Sequence, residues 1–254
     1  MSKITLLGTG TSQIMVERRA SSVLIELDDI KILFDCGHGV LQRLLEIRVH
    51  PNDINHIILS HFHPDHVSDL IPFFHAGAKA KYNPRTTDLH VYGPVGVRIF
   101  IDKIKDLFQP DTFRLPSYDI IVHEISEEDF RIGPYSFEFI SLPPYENHGL
   151  RFIWNGRSFA ITGDSYFHDQ EKDFLRNVDL AIIDAGHLEE DKIVQLSVTS
   201  QAKVIICSHI YEEIDRYHLQ ELARAQGYQG TIEVGRDLLS LDADTLQEYD
   251  LARS

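Results

Sequence analysis

Ser60-His61-Phe62-His63-Pro64-Asp65-His66 follows the apolar run Ile57-Ile58-Leu59 without interruption. A strand ending in such a loop carries its polar groups to the rim of a sheet, where binding and catalytic residues concentrate. Three imidazoles and one carboxylate within six residues would repel one another if the histidines were charged. They make physical sense as neutral nitrogens and a carboxylate turned on a cation. Pro64 stiffens the loop, and Leu70, Ile71 and Phe74 supply an apolar face for a helix after it.

Four donors from one loop cannot close two metal sites, so further donors have to come from downstream. Three candidates end or follow apolar runs. His148 comes after Tyr135–Ser141 by way of Pro143-Pro144-Tyr145-Glu146-Asn147, Asp164 after Ser158–Thr162, and His209 after Val204-Ile205-Ile206-Cys207-Ser208. Their recurrence at strand ends argues against coincidence.

Further out, runs of strand length recur between Gly, Pro, Asn and Asp. They are 4–7, 22–27, 31–34, 56–59, 89–92, 135–141, 150–154, 158–162, 180–183, 204–207, 232–234 and 238–241. Helical periodicity covers 39–47, 66–77, 95–108, 169–177, 191–199 and 217–226. An early meander of strands, then strands alternating with helices, suits two packed sheets with helices outside: an α/β chain forming a four-layer αββα sandwich. The coarse pattern alone leaves other α/β folds open. No repeat, low-complexity tract or linker divides residues 1–254, which are expected to form one domain. Gly8-Thr9-Gly10-Thr11 opens like a dinucleotide-binding turn, but the third glycine is missing and a strand follows, so a tight turn is expected.

Charge narrows the partners. Acidic residues outnumber basic ones 39 to 24, for a net charge of −15, whereas gripping a long polyanion needs clustered Lys and Arg. Extended nucleic acid is disfavoured; Lys79, Lys81 and Arg85 are expected to be a solvated loop. Cys36 and Cys207 sit among apolar residues as buried thiols. No run approaches the roughly 20 apolar residues of a membrane span, and Met1–Ser12 is not built like a signal peptide, so a cytoplasmic protein is expected. His38, His50, His56, His75, His90, His123, His168 and His218 lack ligand spacing and receive no role, and Tyr145 and Tyr211 are expected to pack.

His61-x-His63-x-Asp65-His66, followed by His148, Asp164 and His209, resembles the ligand set of the metallo-β-lactamase superfamily over roughly residues 3 to 240. Phe34-Asp35-Cys36-Gly37 after a strand is similar to that family's opening motif. The resemblance implies two divalent metal ions, with zinc favoured and manganese or iron fitting the same shell. It implies His61, His63 and His148 on the first, Asp65, His66 and His209 on the second, Asp164 between them, and Asp35 orienting the ligands. Asp65 would also steer the attacking water. Relatives that carry irons for electron transfer usually have Glu where His63 stands, so redox chemistry is not expected.

Within the superfamily the chain looks most like the ribonuclease Z group. Leu7-Gly8-Thr9-Gly10-Thr11-Ser12 and Arg19-Ala20-Ser21-Ser22 are similar to that group's N-terminal pattern. His187 stands 22 residues before His209, where the group places a histidine that donates a proton or contacts phosphate. Asp184 takes the position of that histidine's acidic partner, though the segment joining the two is shorter than in the nucleases. Only 15 residues separate His148 from Asp164, so the long arm with which those nucleases grip tRNA is absent there. The resemblance therefore implies hydrolysis of a small or cyclic phosphodiester. Two rivals stay open: a thioester or lactone hydrolase of the same fold, and a metal-binding accessory protein without turnover. The group is often dimeric, and Phe73-Phe74 as an exposed apolar loop would suit a homodimer interface.

Overall fold

The computed structural model describes residues 2–79, 84–109, 111–113, 118–126, 129–144 and 146–249. One sheet contains β1 (Lys3–Gly8), β2 (Ser22–Leu27), β3 (Ile30–Phe34), β4 (His56–Ile58), β5 (Leu89–Gly93) and β6 (Ile120–Glu124). The other contains β7 (Phe130–Ile132), β8 (Tyr135–Leu142), β9 (Asn147–Trp154), β10 (Arg157–Ile161), β11 (Leu180–Asp184), β12 (Val204–Ser208) and β13 (Thr231–Val234). β14 (Leu239–Asp242) returns to the first sheet beside β1, so the strand orders are β14-β1-β2-β3-β4-β5-β6 and β13-β12-β11-β10-β9-β8-β7.

Period-two alternation sorts the apolar residues into three layers. Ile32 and Phe34 of β3 and Ile206 of β12 face the space between the sheets. Leu33 faces outward onto Val40 and Leu44 of α1 (Val40–Glu46) and Phe73 and Phe74 of α3 (Leu70–Lys79), with α4 (Val97–Asp106) in the same layer. Ile205 and Cys207 face outward onto α5 (Asp169–Phe174), α6 (Glu190–Ser200) and α7 (Arg216–Ala225). β2 is buried along its whole length because it is covered on both faces. The expected αββα sandwich is the fold observed.

Several expectations need correction. The helix expected over 66–77 is broken into α2 (Pro64–Val67) and α3. Between them Asp69 donates its N–H to the Cys36 carbonyl, and its carboxylate accepts Leu41 N–H at 3.1 Å. Phe73 and Phe74 are buried in α3, so they form no exposed interface loop. Arg85 is not solvated: it is 1% exposed, and its guanidinium donates to the carbonyls of Pro51 and Ile54 and to Asn55 Oδ1. Lys81 and the side chain of Lys79 lie outside the described residues. β6 and β7 went unforeseen because their apolar signal is short. The Gly8 turn packs directly on Ala20, where an added Cβ would meet the Ala20 carbonyl at 1.9 Å. Cys36 and Cys207 are free and buried. Among the described residues, no helix is long and apolar enough to cross a membrane.

Candidate metal centre

β3, β4 and β5 run parallel, as do β10, β11 and β12, so their carboxyl ends gather along one edge of the sandwich. Asp35 follows β3, His61 to His66 follow β4, Asp164 follows β10, Asp184 ends β11 and His209 follows β12. β9 is antiparallel to β10, so its beginning reaches the same edge. His148 therefore belongs to the strand itself, paired with Ser141, and not to a loop ahead of it.

Asp35 organises the first half of the cluster. It adopts a left-handed backbone (φ 60°) and accepts Ser60 N–H at 2.8 Å, Ser60 Oγ–H at 2.8 Å and His66 Nδ1 at 2.7 Å. With Nδ1–H donating to that carboxylate, Nε2 is the nitrogen of His66 that would give up its proton to a cation. Asn147 organises the second half, donating to the Thr162 carbonyl at 2.8 Å and accepting Asp164 N–H at 3.0 Å. Gly163 between them has φ +63°, and a Cβ there would stand 2.3 Å from Asn147 Oδ1.

The sequence-predicted residues converge. Asp164 Oδ1 lies 3.0 Å from His66 Nε2 and 3.4 Å from His209 Nε2, and Asp164 Oδ2 lies 3.7 Å from His61 Nε2. Asp65 Oδ2 stands 3.4 Å from His209 Nε2 and 3.8 Å from His66 Nε2. Donor atoms of His61, His66 and Asp164 fit within 4.8 Å of one another, as do those of Asp65, His66 and His209, and of Asp164, Asp184, His187 and His209. His63 and His148 stand outside these tight groups but line the same cavity as His61, where His63 meets the His61 ring edge-on at 4.5 Å. His148 is stacked on Phe139.

Electrostatics shows what the donors lack. His61 Nε2, His66 Nε2 and Asp164 Oδ1 are buried with no partner in hydrogen-bond geometry, an expensive arrangement unless something else satisfies them. Burial, together with His66, pushes His61 down to about 3, so it stands as a neutral imidazole. His209 moves the other way: burial opposes its charge, but Asp184 and Asp65 outweigh it and raise it to about 9. His66 is likewise raised, burial being overcome by Asp164 and Asp35. Protons thus occupy positions that a cation would fill better. These buried His/Asp clusters are consistent with a dinuclear metal site.

His187 and Asp184 stand beside this cluster. His187 Nδ1 is 2.7 Å from Asp184 Oδ2, and the short connection is what permits it. In the tight turn Asp184 Oδ1 also accepts Gly186 N–H at 2.8 Å and His187 N–H at 3.1 Å. The hydrogen bond to Asp184 raises the His187 pKa, against partial burial. The ring stacks on His209 with centroids 5.2 Å apart, and Tyr166 and Tyr211 meet it edge-on. His187 lines a compartment of about 60 Å³ together with His61, His63, Asp164 and Tyr166.

Reading the sequence missed Ser60, Asn147, Tyr166 and Phe62. Ser60 and Asn147 each stand one position before an expected donor, which is the available signal: a polar residue there can orient the site. Tyr211, expected to pack, flanks the rings of both His187 and His209, whereas Tyr145 lies outside the described residues. Pro94, Val95, Ile125 and Ser126 wall the cavity beside the cluster, together with Ser141 and Glu146.

Comparison with known proteins places this geometry. The family model described as the metallo-beta-lactamase superfamily matches residues 15–246. A ribonuclease Z of Streptococcus agalactiae is 37% identical over 128 residues, which is 49% of this chain and 40% of the relative. The chain thus matches less than half the length of that curated relative. Among solved structures, the metallo-beta-lactamase fold protein YhfI from Bacillus subtilis superposes with TM-score 0.77 at 21% identity, covering 94% of this chain and 98% of the other. A diphosphatase from the PhnP family superposes with TM-score 0.69 at 19% identity, covering 94% and 96%.

Proposed function

The chain belongs to the metallo-β-lactamase superfamily, and from that membership we propose that it is a dinuclear metal-dependent hydrolase cleaving a small or cyclic phosphodiester. The observation that carries the reading is His187, hydrogen-bonded to the buried Asp184 and lining the same small compartment as Asp164, His61 and His63. A thioester expels a thiolate that leaves without a proton, whereas the alkoxide of a phosphodiester must leave with one. The partial match to ribonuclease Z supports the same branch.

In this reading His61, His63 and His148 would hold one cation and Asp65, His66 and His209 the other, with Asp164 as a further donor. Zinc suits imidazole and carboxylate donors. When bound, two such cations supply a water activated at neutral pH and a Lewis acid for a phosphoryl oxygen. Asp35 fixes the tautomer of His66, and Asp65 orients the attacking water. His187, held at Nδ1 by Asp184, presents Nε2 to the compartment and passes its proton to the leaving oxygen as the P–O bond breaks. The segment between His148 and Asp164 is a plain hairpin, Trp154 pairing with Arg157, with no room for a tRNA-gripping arm. That hairpin and the net charge of −15 favour a small substrate over extended nucleic acid.

The test is metal analysis joined to a substrate panel: bis-4-nitrophenyl phosphate, a cyclic nucleotide, an acyl thioester and a lactone. His187→Ala should keep the metals of the parent and slow turnover of the cyclic nucleotide, whose leaving alkoxide needs a proton, by roughly 10²–10⁴-fold, the usual worth of a general acid. A parallel loss of metal would make His187 a ligand. Clear preference for thioester or lactone would replace the phosphodiester reading, and tight metal binding with no turnover would favour an accessory role.

A further inference from the structure

Two spaces of very different size meet at the cluster. The compartment of about 60 Å³ that His187 lines can hold a phosphoryl group and little more. Through His61, His63 and Glu146 it adjoins a cavity of about 840 Å³ that reaches His148 but is not lined by His187. His187, Tyr166 and Tyr211 also line a polar space of about 570 Å³ that can take the leaving group, so a diester seated with its leaving oxygen at His187 can place its other arm in the 840 Å³ cavity.

That space has a definite chemistry. Phe62, Pro94, Val95 and Ile125 form apolar walls. The Phe62 ring is held by face-to-face stacking on Phe100, with centroids 4.7 Å apart and planes 15° apart, so it is a fixed platform. Val95 is 69% exposed at the wall, an apolar surface uncovered beside a reaction centre. Among the described lining residues there is no Lys or Arg, and Glu146 carries the one formally charged side chain. Away from the metal donors, a second phosphate or a carboxylate on this arm would find no basic side chain among the described lining residues and would meet Glu146.

Resting on the phosphodiesterase reading, we propose that the 840 Å³ cavity receives the retained arm of the substrate and selects an uncharged apolar group, aryl or bulky alkyl, over small or anionic ones. The substrate class is then a phosphodiester whose single negative charge sits at phosphorus, with its leaving group on the His187 side. Burying a phenyl ring in place of a methyl group removes on the order of 100 Å² of apolar surface from water, a preference of roughly 10²-fold.

The experiment keeps 4-nitrophenol as the leaving group and varies the retained alcohol on the metal-loaded protein: methyl, phenyl and 4-carboxyphenyl. The phenyl ester should exceed the methyl ester in kcat/KM by roughly 10²-fold, mainly through KM, and the carboxylate should lose most of that gain. Val95→Asp should shrink the phenyl-to-methyl ratio about tenfold or more. Calorimetric binding of methyl phenyl phosphate against dimethyl phosphate gives a readout independent of turnover. Equal kcat/KM for methyl and phenyl, with both cleaved, overturns the cavity assignment and leaves the phosphodiesterase reading standing. If no phosphodiester is cleaved that reading falls, and the binding pair decides: tighter methyl phenyl phosphate upholds the cavity's selectivity, and equal affinities overturn it.

Discussion

Glu171 on α5 is fully buried and lies near Asp184. Burial, then the Asp184 charge, push its carboxyl from the ordinary 4.5 up to about 8, with Ser165 partly opposing. At neutral pH the side chain is therefore an uncharged acid, leaving Asp184 as the anion that faces His187 and His209. Because the folded pKa is raised, the native chain keeps a proton that the unfolded chain has already released. The stability this group contributes is complete below about pH 4.5 and is lost as pH rises through about 8. Glu171→Gln preserves shape and cannot ionise, so it should remove that loss. Urea unfolding at pH 6 and pH 9 should show the variant gaining on the parent by roughly a few kcal/mol between the two. A constant difference would mean that Glu171 is already ionised in the fold.

Among the elements, β4, β5 and β6 carry a feature outside the metal cluster. His56, His90 and His123 stand side by side on neighbouring parallel strands, with ring centroids 5.2 Å apart at both steps and Tyr92 stacked on His123 at 4.4 Å. His90 Nδ1 and His123 Nε2 are 2.9 Å apart, so one donates to the other. Burial, then His90 and His123, lower His56 to about 4, while burial, His90 and Arg98 lower His123. Here the folded state prefers the neutral form, so stability falls as pH drops from about 6.5 towards about 4. His56→Phe keeps a stacking ring without a charge. In chelated protein its melting temperature should fall less between pH 7 and pH 5 than that of the parent, and parallel curves would show that the ladder does not resist protonation. Spacing along the chain could not reveal this ladder, because its members are 34 and 33 residues apart and meet only through strand register. The longer strands were legible for the opposite reason: apolar runs such as 22–27 and 204–207 carry their own signal. Most donors were legible because they follow such a run, His148 at the start of β9 being the exception, whereas the left-handed φ of Asp35 and the support from Ser60 and Asn147 exist only once strands are paired.

At the level of the whole molecule, the candidate centre lies where the two sheets meet. The first sheet brings Asp35, His61, His63, Asp65 and His66; the second brings His148, Asp164, Asp184, His187 and His209. Without cations, Asp164 and Asp65 are held together with histidines that have taken up protons: His209 is raised to about 9, and His66 is raised as well. Those protons partly neutralise the carboxylates but cannot satisfy His61 Nε2, which stays neutral and buried. A divalent cation bound here would replace the protons and draw on donors from both sheets, so its binding would couple to proton release and to the docking of one half on the other. Zinc added to chelated protein at pH 7.5 should release protons, read by titration calorimetry in buffers of different ionisation enthalpy. It should also raise the melting temperature in proportion to the logarithm of free zinc above its dissociation constant. Since His209 must lose its proton to ligate, apparent affinity should weaken as pH falls below about 9. Zinc binding with no proton release, and with affinity flat between pH 7 and pH 9, would show that His66 and His209 are not displaced. The seam would then be held by the carboxylate–imidazolium pairs alone.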